Sequence, residues 1–354
     1  MTTPFVTGLE APIFIPFWEK NALPGGWVKK PVKEVLYGPI EEIIISTSGS
    51  SVSVLGDVYN NVTFTGWSNG STVDVSGFVW GDVIFKPLSD GNSFSADWVF
   101  GGININDAWY TTLNVDSVYG GISVNDVFGG NYDIGWTPTY QVEGSFGVEA
   151  ELGVVYDVNF DEVDQSETNI GTLLGNMMIS GEGNDVAIGN AYGATIQIAS
   201  DATNTSIQIE QGGVVFDNGD STQFVGGEGD QFVFANGDGV SMYNGGGLGL
   251  LGEILGIQDN DTFVDNGGGI DIIAGFESVT VDTHGDVIIL DPQNVQEATL
   301  QLGDHNIDLD AMMNVFGHQE GNDAVIDFNE GSVTLVGAGQ DYFDSAPVDD
   351  LLFM

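Results

Sequence analysis

From residue 44 to residue 136, apolar residues recur in pairs two positions apart. The pairs are Val52/Val54, Val62/Phe64, Val73/Val75, Val83/Phe85, Phe94/Ala96, Ile103/Ile105, Leu113/Val115, Ile122/Val124 and Tyr132/Ile134. Successive pairs start 9 to 11 residues apart. A period of two places both members on one face of a strand, so each pair predicts a short strand with one buried side. Turn formers separate the pairs, among them Ser68-Asn69-Gly70, Gly101-Gly102 and Gly129-Gly130. Most repeats also set an aromatic near the turn: Tyr59, Trp67, Trp80, Trp98, Tyr110, Tyr119, Phe128 and Trp136.

This pattern predicts an all-β fold. Two architectures satisfy the spacing. In a β-solenoid or β-roll, each strand stacks on its equivalent one coil later and like residues form ladders. In an antiparallel β-sandwich, the same turns join neighbouring strands. The likeness of successive repeats favours the solenoid, because stacking brings equal residues together. The residues inside the pairs are mixed (Ser53, Thr63, Asp74, Ile84, Ser95, Asn104), which argues against the flat threonine ladder expected of an ice-binding solenoid.

The flanks differ in kind. Residues 1–43 hold six of the ten prolines and four of the five lysines. Proline keeps such a segment extended, so it reads as an arm. It either shields an open end of its own domain or docks on a neighbouring molecule. Its candidate assembly residues are the apolar Ile13, Phe14, Ile15, Phe17 and Trp18 and the basic Lys20, Lys29, Lys30 and Lys33. A repeat domain follows at 44–169. The remainder, 170–354, is rich in Gly and Asp and predicts one helix near Asp308–Phe316, with Asp308 as its N-cap.

Charge changes the picture. Against 52 acidic residues the chain has 5 lysines and no arginine, for a net charge of −47. Self-repulsion of that size disfavours a compact state unless counter-ions offset it. Carboxylates titrate at about 4, so protons do not neutralise them near pH 7. Asp- and Gly-rich loops are hard-oxygen sites suited to Ca2+, which points to folding where calcium is abundant, outside the cell. Nucleic acid and anionic membranes are excluded as partners by the same charge. No apolar run is long enough to insert in a membrane. There is no cysteine, so packing or metal must hold a secreted form together. The first residues show no basic segment ahead of an apolar one, so export without a cleaved leader is expected.

Three segments carry calcium-type motifs. Gly181-Glu182-Gly183-Asn184-Asp185-Val186-Ala187 follows the Gly-Gly-x-Gly-x-Asp-x-U-x nonapeptide from its second glycine, with Ala187 at the core-plugging position U. Gly226-Gly227-Glu228-Gly229-Asp230 is one residue short of it. Gly321-Asn322-Asp323-Ala324-Val325-Ile326 is the third, followed by Val333-Thr334-Leu335 and by Asp349-Asp350-Leu351-Leu352-Phe353. These segments resemble the RTX (repeats-in-toxin) family of type I-secreted bacterial proteins over roughly residues 170–354. The resemblance implies calcium held near Gly181, Gly183, Asp185, Gly227, Gly229, Asp230, Asn322 and Asp323, and an uncleaved C-terminal secretion signal.

Catalytic equipment is not expected. His284, His305 and His318 fall in no His-Glu-x-x-His motif, and no Gly-x-Ser-x-Gly elbow is present. The expectation is a secreted, calcium-dependent structural protein that assembles with itself into a filament, surface layer or biofilm matrix. The alternative is an adhesin or carbohydrate-binding module that meets cell-surface polysaccharide through Trp67, Trp80, Trp98 and Trp109.

Overall fold

The computed structural model describes residues 13–15, 18–20, 27–29 and 33–228. Between 232 and 339 it describes all but 238–239, 245–261, 266–269, 275, 277, 282–283, 291, 293–294, 296, 303–304 and 329. The chain divides into two units, 1–174 and 175–354. Each is a β-solenoid.

In the first unit every coil gives one strand to each of two parallel strips. The first strip runs Lys33–Tyr37, Ser51–Leu55, Thr72–Val79, Ser93–Val99, Thr111–Val118, then the leading halves of Phe128–Glu143 and Phe146–Asp161, then Glu167–Leu173. The second runs Ile13–Ile15, Ile43–Ile45, Val62–Phe64, Val83–Phe85, Ile103–Asn106, Ile122–Asn125 and the trailing halves of the two long strands. All these pairings are parallel, which selects the solenoid over the sandwich.

The apolar pairs point inward as their alternation requires. Val52, Val73, Phe94, Leu113, Tyr132 and Ala150 form one buried column. Val62, Val83, Ile103, Ile122, Tyr140 and Val158 form another. Adjacent pairs in sequence therefore lie in different strips, and alternate pairs stack. The spacing of about ten residues is half a coil. From Lys33 onward in this unit the full coil advances 18 to 21 residues, as Lys33 opposite Ser51, Ser51 opposite Thr72 and Ser93 opposite Thr112 define it. A third interior column, Val58, Val79, Val99 and Val118, closes the side between the strips.

One corner is polar and buried. Ser71 donates its hydroxyl to the Thr47 carbonyl (3.0 Å) and accepts the Ser50 N–H (3.0 Å). Asn92 accepts the Ser71 N–H (2.8 Å) and donates to the Ser89 carbonyl (2.6 Å). Each coil thus satisfies the turn backbone of the one before it, which removes the cost of burying those groups. Gly49, Gly70 and Gly91 sit at this turn with φ of +69°, +65° and +64°. A methyl added at Gly70 meets nothing within 4 Å. Gly70→Ala is therefore expected to cost about 1–2 kcal/mol through backbone strain alone, read from urea unfolding of the first unit.

The second unit repeats the two-strip plan. Asp185–Ala191, Ser206–Gln211, Gln223–Glu228, Ser241–Asn244, Ile270–Ala274, His284–Ile289 and Glu330–Leu335 form one strip. Asn176–Ile179, Thr195–Ile198, Val214–Asp217, Phe232–Ala235, Thr262–Asp265, Ser278–Val281 and Glu297–Leu302 form the other. The stack then ends in antiparallel structure. Glu297–Leu302 turns back on His305–Asp308, and Glu330–Leu335 pairs with Asp323–Asp327, which pairs with His318–Glu320. Between them lies the helix Leu309–Phe316, the one helix among the described residues. Asp308 caps it as expected, its carboxylate accepting the Ala311 N–H at 3.0 Å. The helix buries Leu309 and Met313. Such a cap blunts the exposed edge that a bare solenoid would leave.

Candidate interaction surface

The corner valines of the first unit each precede an outward position, and those positions are Tyr59, Trp80, Phe100 and Tyr119. Stacking follows from the hydrogen bonds of consecutive coils: the Trp80 N–H donates to the Val58 carbonyl, Phe100 to Val79 and Tyr119 to Val99, at 2.8–2.9 Å. Phe78, Trp98 and Trp136 flank this row. Coils lie about 4.8 Å apart along a sheet, close to the separation of stacked rings. Accordingly Trp80 and Phe100 stack with centroids 4.4 Å apart and planes 8° apart, and Phe100 and Tyr119 at 5.1 Å and 12°. Tyr119 continues to Trp136 at 5.0 Å. Phe78 meets Trp98 edge-on at 6.1 Å. The ladder nevertheless stays open to solvent: Trp80 is 47 % and Tyr119 43 % exposed.

Ring orientation decides what this surface offers. Stacked rings cover one another's faces and turn their edges outward. A sugar-stacking platform needs free faces, whereas an apolar docking surface rich in Trp, Tyr and Phe does not. Carboxylates surround it. Asp97 and Asp116 are exposed beside the ladder. Asp57 and Asp82 help build it, accepting the Phe78 and Gly102 N–H groups at 3.0 and 2.8 Å. Trp109 belongs to a second cluster with Tyr110, Phe128 and Phe146, in which Phe128 and Phe146 stack at 5.2 Å. Sequence reasoning named Trp80, Trp98, Tyr119 and Trp136 but missed Phe78 and Phe100. The signal was there, as an aromatic directly before or after the inward valine of each coil.

The expected calcium positions are dispersed. Gly181 and Gly183 turn the chain with φ of +100° and +70°, and Asp185 opens a strand with its side chain exposed. Its neighbours in the column are Ser206 and then Gln223, not further carboxylates. Val186 and Ile188 are the core residues here, and Ala187 lies on the outer side. The expectation that Ala187 plugs the core is corrected, because strand alternation runs one residue out of phase with the nonapeptide. Gly227 lies in the strand Gln223–Glu228, and Gly229 and Asp230 lie outside the described residues. Asn322 and Asp323 occupy an antiparallel hairpin, where Asp323 accepts the Gly337 N–H at 2.7 Å. Among the described residues no three acidic or histidine side chains are grouped to hold a metal ion.

Of the expected assembly residues, Ile13–Ile15 extend the second strip of their own chain, in parallel register with Ile43–Ile45. Trp18–Lys20 and Trp27–Lys29 pair as an antiparallel hairpin forming a sheet of its own. Lys33 lies exposed in the first coil. Phe17, Lys30 and the C-terminal segment 349–353 are outside the described residues.

Two further polar features lie on the strips themselves. Asn131, Asp133, Glu149, Glu151, Glu167 and Asn169 line an acidic cleft of ≈ 240 Å³ on the first strip. In the second unit Asp217 points inward and is fully buried between Ile198 and Ala235 of the adjacent strands. One carboxylate oxygen accepts the Gly219 N–H (2.9 Å) and the Thr222 hydroxyl (3.2 Å), and the other meets no donor. Burial pushes its pKa up to about 6, against the pull of those two hydrogen bonds, and nearby Asp220 adds to the rise.

The chain matches no protein-family model, no curated protein and no solved structure. No helix among the described residues is long and apolar enough to cross a membrane.

Proposed function

We propose that this chain is a secreted structural protein that assembles with copies of itself into an extracellular filament, surface layer or matrix. The aromatic ladder of the first unit carries the reading. It is a rigid apolar patch, edge-out, on a body otherwise dense in carboxylates, and patches of this kind mark interaction sites. The distribution of charge supports a partner of the same sequence. All five lysines lie between residues 20 and 86, and beyond Lys86 the chain has none. Residues 20–33 hold four of the lysines and no acid, so each copy carries one short basic stretch and an acidic remainder.

Between bodies of charge −47, contact requires counter-cations. We assign that role to calcium, spread over surface carboxylates between copies rather than held in a closed cage. Export of RTX type, suggested by the motifs at 181–189 and 321–328, belongs to the same proposal.

The test is electron microscopy and sedimentation velocity in millimolar calcium and again in excess EGTA. Ordered assemblies with calcium and dispersed particles with EGTA are expected. Dispersed particles in both conditions overturn the reading. They would favour a carbohydrate-binding adhesin instead, for which the relevant observation is Trp67, 76 % exposed and outside both ring clusters. A glycan array then decides it.

A further inference from the structure

A two-stranded hairpin is at best marginally stable alone in water and needs an apolar surface to lie on. The segment Trp18–Lys20 with Trp27–Lys29 is such a hairpin, and among the described residues it forms no ladder with the solenoid strips. Its register sets Trp18 opposite Lys29 and Lys20 opposite Trp27. Directly opposed positions, and positions two apart on a strand, share a face of the ribbon. One face therefore carries two tryptophan and two lysine positions.

The aromatic ladder is the complement of that face. It offers indole and phenyl edges for tryptophan to pack on. It also offers carboxylates at Asp97 and Asp116 beside them for lysine to pair with. We infer that the ladder around Trp80, Trp98 and Phe100 is the acceptor surface for the paired strands Trp18–Lys20 and Trp27–Lys29 of a second copy. This rests on the self-assembly reading and deepens it by naming both halves of the contact. The contact is heterologous: the donor patch differs from the acceptor patch, so each copy can receive one neighbour and join another, and growth continues unless closed by symmetry. Apolar burial supplies affinity at the centre, and the Lys–Asp pairs at the rim supply orientation and rate.

The experiment uses two full-length variants. An acceptor variant carries Trp80→Gln and Trp98→Gln. A donor variant carries Lys20→Glu and Lys29→Glu. Both change exposed or hairpin positions, and native far-UV circular dichroism and an unchanged melting temperature verify the fold. Each variant alone is expected to raise the critical concentration for assembly at least about tenfold, as loss of central interface residues does. Mixed in equal amounts in calcium, the two regain one productive contact, an intact hairpin on an intact ladder, and sediment as a heterodimer that does not grow. An acceptor variant that polymerises like the parent overturns the inference while self-assembly stands. Two assembly-dead variants that fail to complement also overturn it, since the hairpin then docks elsewhere or within its own chain. A parent that never assembles overturns both inference and reading.

Discussion

Phe85→Ala is expected to lower the stability of the first unit by about 3–5 kcal/mol, the range for removing a buried phenyl ring. Phe64 and Phe85 lie on consecutive coils, fully buried, with rings stacked at 4.5 Å and 5°. Ile45 precedes them in the column and Ile105 follows. Deleting one ring leaves a void one coil thick. The walls cannot close on it, because the backbone of each coil is hydrogen-bonded to the coils on both sides. The cavity cost is therefore retained rather than relaxed. Phe85→Leu, which keeps most of the volume, should cost about 1.5 kcal/mol or less. All seven tryptophans lie between residues 18 and 136, so urea unfolding followed by tryptophan fluorescence reports this unit alone. Equal losses for Ala and Leu would show that ring stacking, not volume, holds the column.

Asp217→Asn is expected to stabilise the second unit at pH 7 by about 3 kcal/mol, at 1.36 kcal/mol per unit of pKa shift. The folded carboxyl keeps its proton up to about pH 6, and the unfolded one only to 3.8. Between those values the folded state binds more protons, so stability falls as pH rises through that window. The favourable contribution is complete below 3.8 and gone above about 6. Asparagine keeps the acceptor for Gly219 and Thr222 and carries no charge, so the variant should match the parent below pH 4 and exceed it at pH 7. Hydrogen exchange of the amides in 214–235 measures this in the second unit. Equal protection of variant and parent at pH 7 would mean the buried oxygen is already compensated.

Strand phase was legible in the sequence because alternation is a local property. Val52/Val54 and Val62/Phe64 point inward for the same reason each would in any half-buried strand. The helix at Leu309–Phe316 was legible through its cap, Asp308. The length of the coil was not. Pairs ten residues apart look alike whether they stack on one another or alternate between two strips, and only hydrogen-bond partners distinguish the two. The aromatic ladder shares this limit. The pair Phe78 and Trp80 lies 20 residues from the pair Trp98 and Phe100 in sequence, and they become one surface only because coils of 18 to 21 residues bring them into register.

The tripeptide Gly-Asn-Asp shows where local reading ends. At Gly183-Asn184-Asp185 it forms a solenoid corner, with Asn184 buried and its amide directed at the Ser180 carbonyl at 3.4 Å. At Gly321-Asn322-Asp323 it closes an antiparallel hairpin, with Asn322 exposed and Asp323 holding the Gly337 N–H. In both places the sequence by itself determined a turn, since glycine admits positive φ and the polar residues satisfy nearby backbone. Whether that turn continues a parallel stack or ends it was decided by the strands on either side. A strand's partner is chosen by long-range hydrogen bonds and burial, and three residues carry neither.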